Sequence, residues 1–165
     1  MGRPTEKSLY SFPHDTDARG DRKHKLFIRY TGLPGYGFYW AILEDIYNEH
    51  YYIDWTEEDR EAFIAEFHSP FYELDEDGMD FIVEKALKFG LLNQQLYNEF
   101  GIFTSRSIQA RWLKQSSRRM LAKMRDDFVL IDLPEFYEKE LKTSNLSIKI
   151  VVKYGHTECI YGDYE

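Results

Sequence analysis

Apolar side chains in this chain recur mostly at helical spacing. Met79, Ile82, Val83, Ala86 and Phe89 fall at i, i+3, i+4, i+7 and i+10, which predicts a helix over 79–89 with one packed stripe. Gly90 follows as its C′ glycine, and Asp75 or Asp77 caps its start after the acidic loop 73–77. Thr56-Glu57-Glu58-Asp59 resembles a capping box and opens a helix to about Phe67, with Phe63, Ile64 and Phe67 inward. Residues 38–50 are apolar almost all round, as expected of a buried central helix. A further helix is expected over 18–31, with Leu26, Phe27 and Tyr30 inward. Gly32 stops it, and Leu33-Pro34-Gly35-Tyr36-Gly37 forms a tight connector.

Strands are expected to be few. Tyr51-Tyr52-Ile53 is short, aromatic and β-branched. Residues 91–103 read as two short strands around a turn near Asn98-Glu99, and a long basic helix follows over 105–125. Beyond it, Phe128–Ile131 reads as a strand and Pro134–Leu141 as a charged helix. Residues 148–154 and 157–161 then form a hairpin around Gly155-His156. The expected class is therefore mostly α with a small β component. The order of elements is that of a winged helix-turn-helix over 12–125. In that reading 56–67 and 79–89 are the helix-turn-helix pair and 91–103 is the wing. A flexible lead-in occupies 1–11 and a C-terminal extension 126–165.

Composition narrows the class. A chain of 165 residues with 43% hydrophobic and 17% aromatic side chains has material for one ordered core. The single cysteine, Cys159, cannot form an intrachain disulfide, and no Cys/His spacing suggests structural zinc. The first residues hold no apolar run of the kind a secretory signal needs, and no stretch is apolar enough to span a bilayer. A soluble protein of a reducing, cytoplasmic compartment is expected.

Charge changes the picture most. Residues 30–103 carry 16 acidic and three basic side chains, whereas residues 104–125 carry seven basic and no acidic ones, in a chain of net charge -8. Arg111, Lys114, Arg118 and Arg125 lie at offsets 0, 3, 7 and 14, one face of the expected helix, with Ile108, Trp112, Leu113, Met120, Leu121 and Met124 opposite. Such a ridge suits DNA phosphates, and Arg106, Arg111, Lys114, Arg118, Arg119 and Lys123, with Lys85 and Lys88, are the candidate contacts. The alternative is that this face neutralises the acidic body. The outward positions of the 79–89 helix, Asp80, Glu84, Lys85 and Lys88, follow an acidic approach that would repel phosphate. That helix is better suited to docking a protein.

Other constellations carry less. His14, Asp15, Asp17, Asp21 and His24 have ligand chemistry but are also the residues that cap turns and a first helical turn. Glu140-Leu141-Lys142, with Asp126, Asp127 or Asp132, imitates an acidic-x-Lys nuclease element within a charge-rich helix. The aromatics of 36–55 read as core, leaving Tyr154, Tyr161 and Tyr164 for a partner surface. No metal, cofactor or catalytic residue is expected.

Phe12-Pro13-His14-Asp15, Ala18-Arg19, Asp21 and Gly32-x-x-Gly35-Tyr36-Gly37-x-Tyr39-Trp40-x-Ile42-Leu43-Glu44 form a distinctive pattern. It resembles the N-terminal winged-helix domain of DnaD-like replication proteins from phages and mobile elements, over roughly residues 10–112. The resemblance implies a winged helix acting in replication initiation or helicase loading in a bacterial host cell, with DNA as ligand. Members often carry a second, helical domain, for which this stretch leaves no room. The expected partner is DNA. A replication or host protein is the alternative partner, docked on the acidic surface, and open tail strands offer a route to a homodimer.

Overall fold

The computed structural model describes residues 9–119, 121–152 and 157–161, the last segment by its backbone. The chain divides into two compact units. One holds 13–46 and 52–105. The other holds 47–51 and the described residues from 106 onward, together with those up to Phe12.

The first unit begins with a 3-10 turn, Ala18–Gly20, and the helix α1, Arg22–Glu49, whose last residues pass into the second unit. Asp21 opens α1 by accepting from the amides of Lys23 (2.8 Å) and His24 (3.3 Å). The helix is not continuous. Gly32 sits at φ 63 and ψ -151, a region essentially closed to residues with a Cβ. In an unbroken helix, residues 24 and 39 would lie about 22 Å apart along the axis. The rings of His24 and Tyr39 have centroids 5.1 Å apart, so the chain folds back on itself at Gly32. The expected stop at Gly32 is present, but the residues expected to form a connector, 33–37, are themselves helical. Pro34 is accommodated there because it stands in the first turn after the break. Gly35 permits the close return, since a Cβ there would lie 1.9 Å from Thr31 Oγ1.

Strand β1 (Ile53–Asp54) precedes α2 (Glu57–Glu66), where Thr56 and Asp59 form the expected capping box. α3 (Glu76–Lys88) is capped by Asp75, whose side chain accepts from the Gly78 amide at 2.8 Å, and is followed by Gly90 at φ 72. Met79, Ile82, Val83 and Ala86 are buried as their spacing predicts. Tyr30, expected to face inward, is 56% exposed.

The expected wing is absent. Residues 94–100 form a helix, α4 (Gln94–Phe100), capped by Asn93 and ended by Gly101 in the left-handed region. Only β2 (Ile102–Phe103) is a strand, and it pairs antiparallel with β1, Ile53 opposite Phe103. The reason is local: an Asn side chain taking the Leu96 amide at 2.8 Å and a glycine past the end suffice for two helical turns. Phe38, Trp55, Phe63 and Phe103 pack edge-to-face and stacked around this small sheet, with Trp55 and Phe103 centroids 4.7 Å apart.

In the second unit the expected basic helix 105–125 is split. α5 (Arg106–Gln115) is helical, but residues 121–125 form a strand, β3 (Leu121–Arg125). Ala122 and Met124 point inward and Lys123 outward, the period-2 pattern of a strand. β3 pairs in parallel with β4 (Ser147–Val151), which pairs antiparallel with β5 (Thr157–Tyr161). Parallel strands need a long crossover. It is supplied by a 3-10 turn at Asp126–Phe128, by residues 129–131, which are not the strand expected over 128–131, and by α6 (Leu133–Phe136), which continues as a π turn over Tyr137–Leu141. The expected tail helix and hairpin are thus present, while the Gly155-His156 turn lies outside the described residues. Gln109, fully buried, ties this crossover to α5: its Nε2 donates to the Phe128 carbonyl at 2.7 Å and its Oε1 accepts from the Leu130 amide at 2.8 Å.

The fold class is mostly α with a small β component. Replacing Gly32 by alanine should cost about 1–3 kcal/mol through its backbone alone. Urea denaturation of Gly32→Ala is expected to show a lower midpoint, and an unchanged midpoint would mean the fold-back tolerates a Cβ.

Candidate nucleic-acid interface

The cations of 104–125 do not form one helical ridge. On α5, Arg106 is exposed and its Nε donates to the Leu130 carbonyl at 3.1 Å. Lys114 is ion-paired with Glu140 at 2.8 Å, and Arg111 is half-buried. Arg118 is exposed in the turn after α5. Arg119 is half-buried, and burial lowers its guanidinium below the ordinary value. Lys123 projects from β3, fully on the outer side. Arg125 is half-buried: its guanidinium forks onto Asp127 (3.0 and 2.6 Å) and lies 3.9 Å over the Phe128 ring. Of the segment's exposed cations, Arg106, Arg118 and Lys123 have no ion pair among the described residues, and Arg106 is held by the Leu130 carbonyl.

Lys85 and Lys88 belong to the other unit, on α3. Lys88 is exposed, as expected. Lys85, expected to face outward, is buried. Its ammonium lies 2.7 Å from Glu84 and above two rings, 4.6 Å from Phe81 and 5.7 Å from Tyr30. Its aliphatic stem packs while its charge is spent on Glu84, which is held below the usual carboxylate range by the hydrogen bond from Lys85.

The helix pair α2 and α3 is acidic, as the sequence indicated. Arg60 sits at its centre. Its guanidinium holds Asp80 with two bonds (2.9 and 3.0 Å), Glu76 at 3.2 Å and Glu57 at 3.4 Å. The hydrogen bond to Asp80 raises the Arg60 pKa further above its ordinary value, against a smaller effect of desolvation. One cation against three carboxylates leaves this surface negative, with Glu58, Glu61 and Asp77 exposed beside it. The expected recognition helix therefore presents no phosphate-seeking face at its N-terminal end.

A basic surface that charge counting along the sequence does not single out lies on the 3-10 turn and the first half of α1. Arg19, Arg22, Lys23, Lys25 and Arg29 are all exposed, with Asp21 the one carboxylate among residues 19–29. The signal is present as the positive balance of residues 1–29, but Asp15 and Asp17 dilute it in the count. Desolvation opposes the shift at Asp21, yet the bonds from His24 and Lys23 hold its carboxyl below the usual range.

The remaining constellations stay structural. His14 stacks on Trp40 with centroids 3.6 Å apart, His24 meets Tyr39, and Glu140 is taken by Lys114. Among the described residues no three ligating side chains come together as a metal site. Tyr154, Tyr164 and the side chain of Tyr161 lie outside the described residues.

These features define a mostly helical protein with two small sheets and segregated charge. Residues 11–108 match the family described as Lin1244/Lin1753-like, N-terminal, and the chain belongs to that family. It is also similar to the uncharacterized phage-related protein Lin1244/Lin1753 of Listeria innocua serovar 6a, 29% identical over 135 residues, which cover 82% of this chain and 43% of the relative. The chain thus spans less than half the length of the curated relative it matches. No solved structure matches. Among the described residues no helix is long and apolar enough to cross a membrane.

Removing the guanidinium at the centre of the acidic cluster should leave Asp80, Glu76 and Glu57 facing one another. Arg60→Ala is expected to lower the thermal midpoint more than Asp80→Asn does, and the gap should shrink in high salt, which screens the repulsion. A destabilisation independent of salt would show that Arg60 acts through packing alone.

Proposed function

We propose that this chain is the DNA-binding module of a phage-related protein that acts in replication initiation. The observation that carries the reading is the solvent exposure of Arg118 and Lys123, in a segment without an acidic residue between 104 and 125. Arg106 and Lys114, exposed although engaged, add to the same segment. Guanidinium and ammonium groups in such positions bind phosphate and release counterions. The replication role rests on the resemblance to DnaD-like proteins, and the phage setting on the relative from Listeria innocua. The carboxylates around Arg60 at the start of α2 and α3 repel phosphate, so the binding mode differs from a helix-turn-helix reading a major groove. The reading is non-enzymatic.

A second reading, a protein-docking adaptor, is favoured by one feature of the α2–α3 connection. Phe71 is 95% exposed at a turn closed by the Tyr72 amide on the Ser69 carbonyl (3.1 Å), beside the carboxylates of the Arg60 cluster's helices. An aromatic presented on an acidic surface suits a basic partner.

The test is a salt titration of fluorescent DNA. Affinity for duplex is expected to fall steeply with salt, and Arg118→Glu with Lys123→Glu should flatten the slope by about 0.9 for each phosphate no longer neutralised. Absence of any DNA binding at low salt would sink this reading and leave the docking adaptor.

A further inference from the structure

The surface shared by α1 and α3 in the first unit combines exposed cations with exposed rings. Lys23 Nζ reaches the Gly90 carbonyl just past the end of α3, at 3.4 Å, and Tyr30 lies against Phe89 with centroids 5.4 Å apart. These two contacts fix the first half of α1 alongside the C-terminal half of α3. On α3, Phe81, Lys85 and Lys88 stand at offsets 0, 4 and 7, one face of the helix. On α1, Tyr30 borders the outer face that carries Arg22 and Arg29 at offsets 0 and 7, ahead of the break at Gly32. The two faces meet at Lys85, whose ammonium lies 4.6 Å from the Phe81 ring and 5.7 Å from the Tyr30 ring. Since Glu84 neutralises that ammonium, Lys85 holds the rings in place rather than supplying charge. The charge comes from Arg22, Arg29 and Lys88, all exposed.

Tyr30 remains 56% exposed and Phe81 41%, unusual for aromatic rings anchored on a helix pair. Rings flanked by cations match the chemistry of a strand whose bases are unpaired: phosphates meet the guanidinium groups and bases stack on the rings. A duplex keeps its bases stacked internally and would leave both rings without a partner. Acidic peptides would use the cations but have less use for two flat rings.

We propose that the α1–α3 surface, with Arg22, Tyr30, Arg29, Phe81 and Lys88, is a binding site for single-stranded nucleic acid. This rests on the DNA-binding reading above and assigns it a strand preference and a second surface.

The experiment measures fluorescence anisotropy of a labelled 20-nucleotide oligo-dT and of a 20-base-pair duplex, with the whole chain, over a series of salt concentrations. The site predicts tighter binding of oligo-dT than of the duplex. Arg22→Glu with Arg29→Glu should weaken oligo-dT binding at least tenfold and flatten its salt slope by about 0.7 for each phosphate released from the site. Tyr30→Ala or Phe81→Ala should weaken oligo-dT roughly tenfold and leave any duplex binding unchanged, while Tyr30→Phe, which keeps the ring, should bind as the parent does. If DNA binds but only Arg118→Glu with Lys123→Glu weakens it, this inference fails and the function proposed above stands. If neither DNA binds, both fail together. Displacement of oligo-dT by polyglutamate at equal charge concentration would overturn the nucleic-acid assignment in favour of an acidic protein partner.

Discussion

The left-handed backbone at Gly32 is the constraint on which the first unit turns. Without it, residues 22–49 would extend as one rod, and His24 and Phe27 could not reach Tyr39, which their rings approach to 5.1 and 6.4 Å. The reversal buries Phe27 completely and leaves the opposite side of the same half-helix to solvent. It also sets Lys23 and Tyr30 against the end of α3. A single conformational choice thus carries core packing and the exposed cationic face together. The absence of a Cβ at Gly35 is the accompanying condition, because the returning segment passes directly against Thr31.

Charge is partitioned more sharply than the net value of -8 suggests. Carboxylates gather around Arg60 on α2 and α3, while exposed cations lie on α1, at the end of α3 and at Arg118 and Lys123. At physiological salt, charges are screened beyond about 8 Å, so what an incoming polyanion meets is the local patch and not the total. Internal pairing further decides which cations count. Arg125 on Asp127 and Lys114 on Glu140 are committed, and Arg106 is partly so, whereas Arg22, Arg29 and Lys88 extend into water.

Much of the helical framework is legible in the sequence. α3 announces itself through apolar periodicity with Asp75 and Gly90 at its ends, and α2 through the capping box at Thr56, although Phe67, expected inward, is 47% exposed. α4 is not legible, because its seven residues bury a single apolar side chain, Leu96, and give no periodic signal. β3 is hidden for a different reason. Its five residues pair with β4, more than twenty positions further on, and a run of basic side chains continuing from α5 looks like continuing helix. Register with a distant partner overrides local preference there. At the site, Arg118, Lys123 and Lys88 lie where charge alone places them. Lys85 does not, since its burial depends on Tyr30, fifty-five positions earlier. The α1 cations escape notice because three nearby aspartates, one of them the helix cap, mask them in a count.

Cross-linking reports position rather than affinity and so tests the central claim most directly. Oligo-dT in which halogenated uracils replace thymines is irradiated in complex with the whole chain, and the adducts are mapped by mass spectrometry. Adducts on Tyr30 and Phe81 are the expected outcome. Adducts confined to residues outside α1 and α3, from a complex shown to form, would contradict the claim that the fold-back at Gly32 builds a platform for unpaired bases.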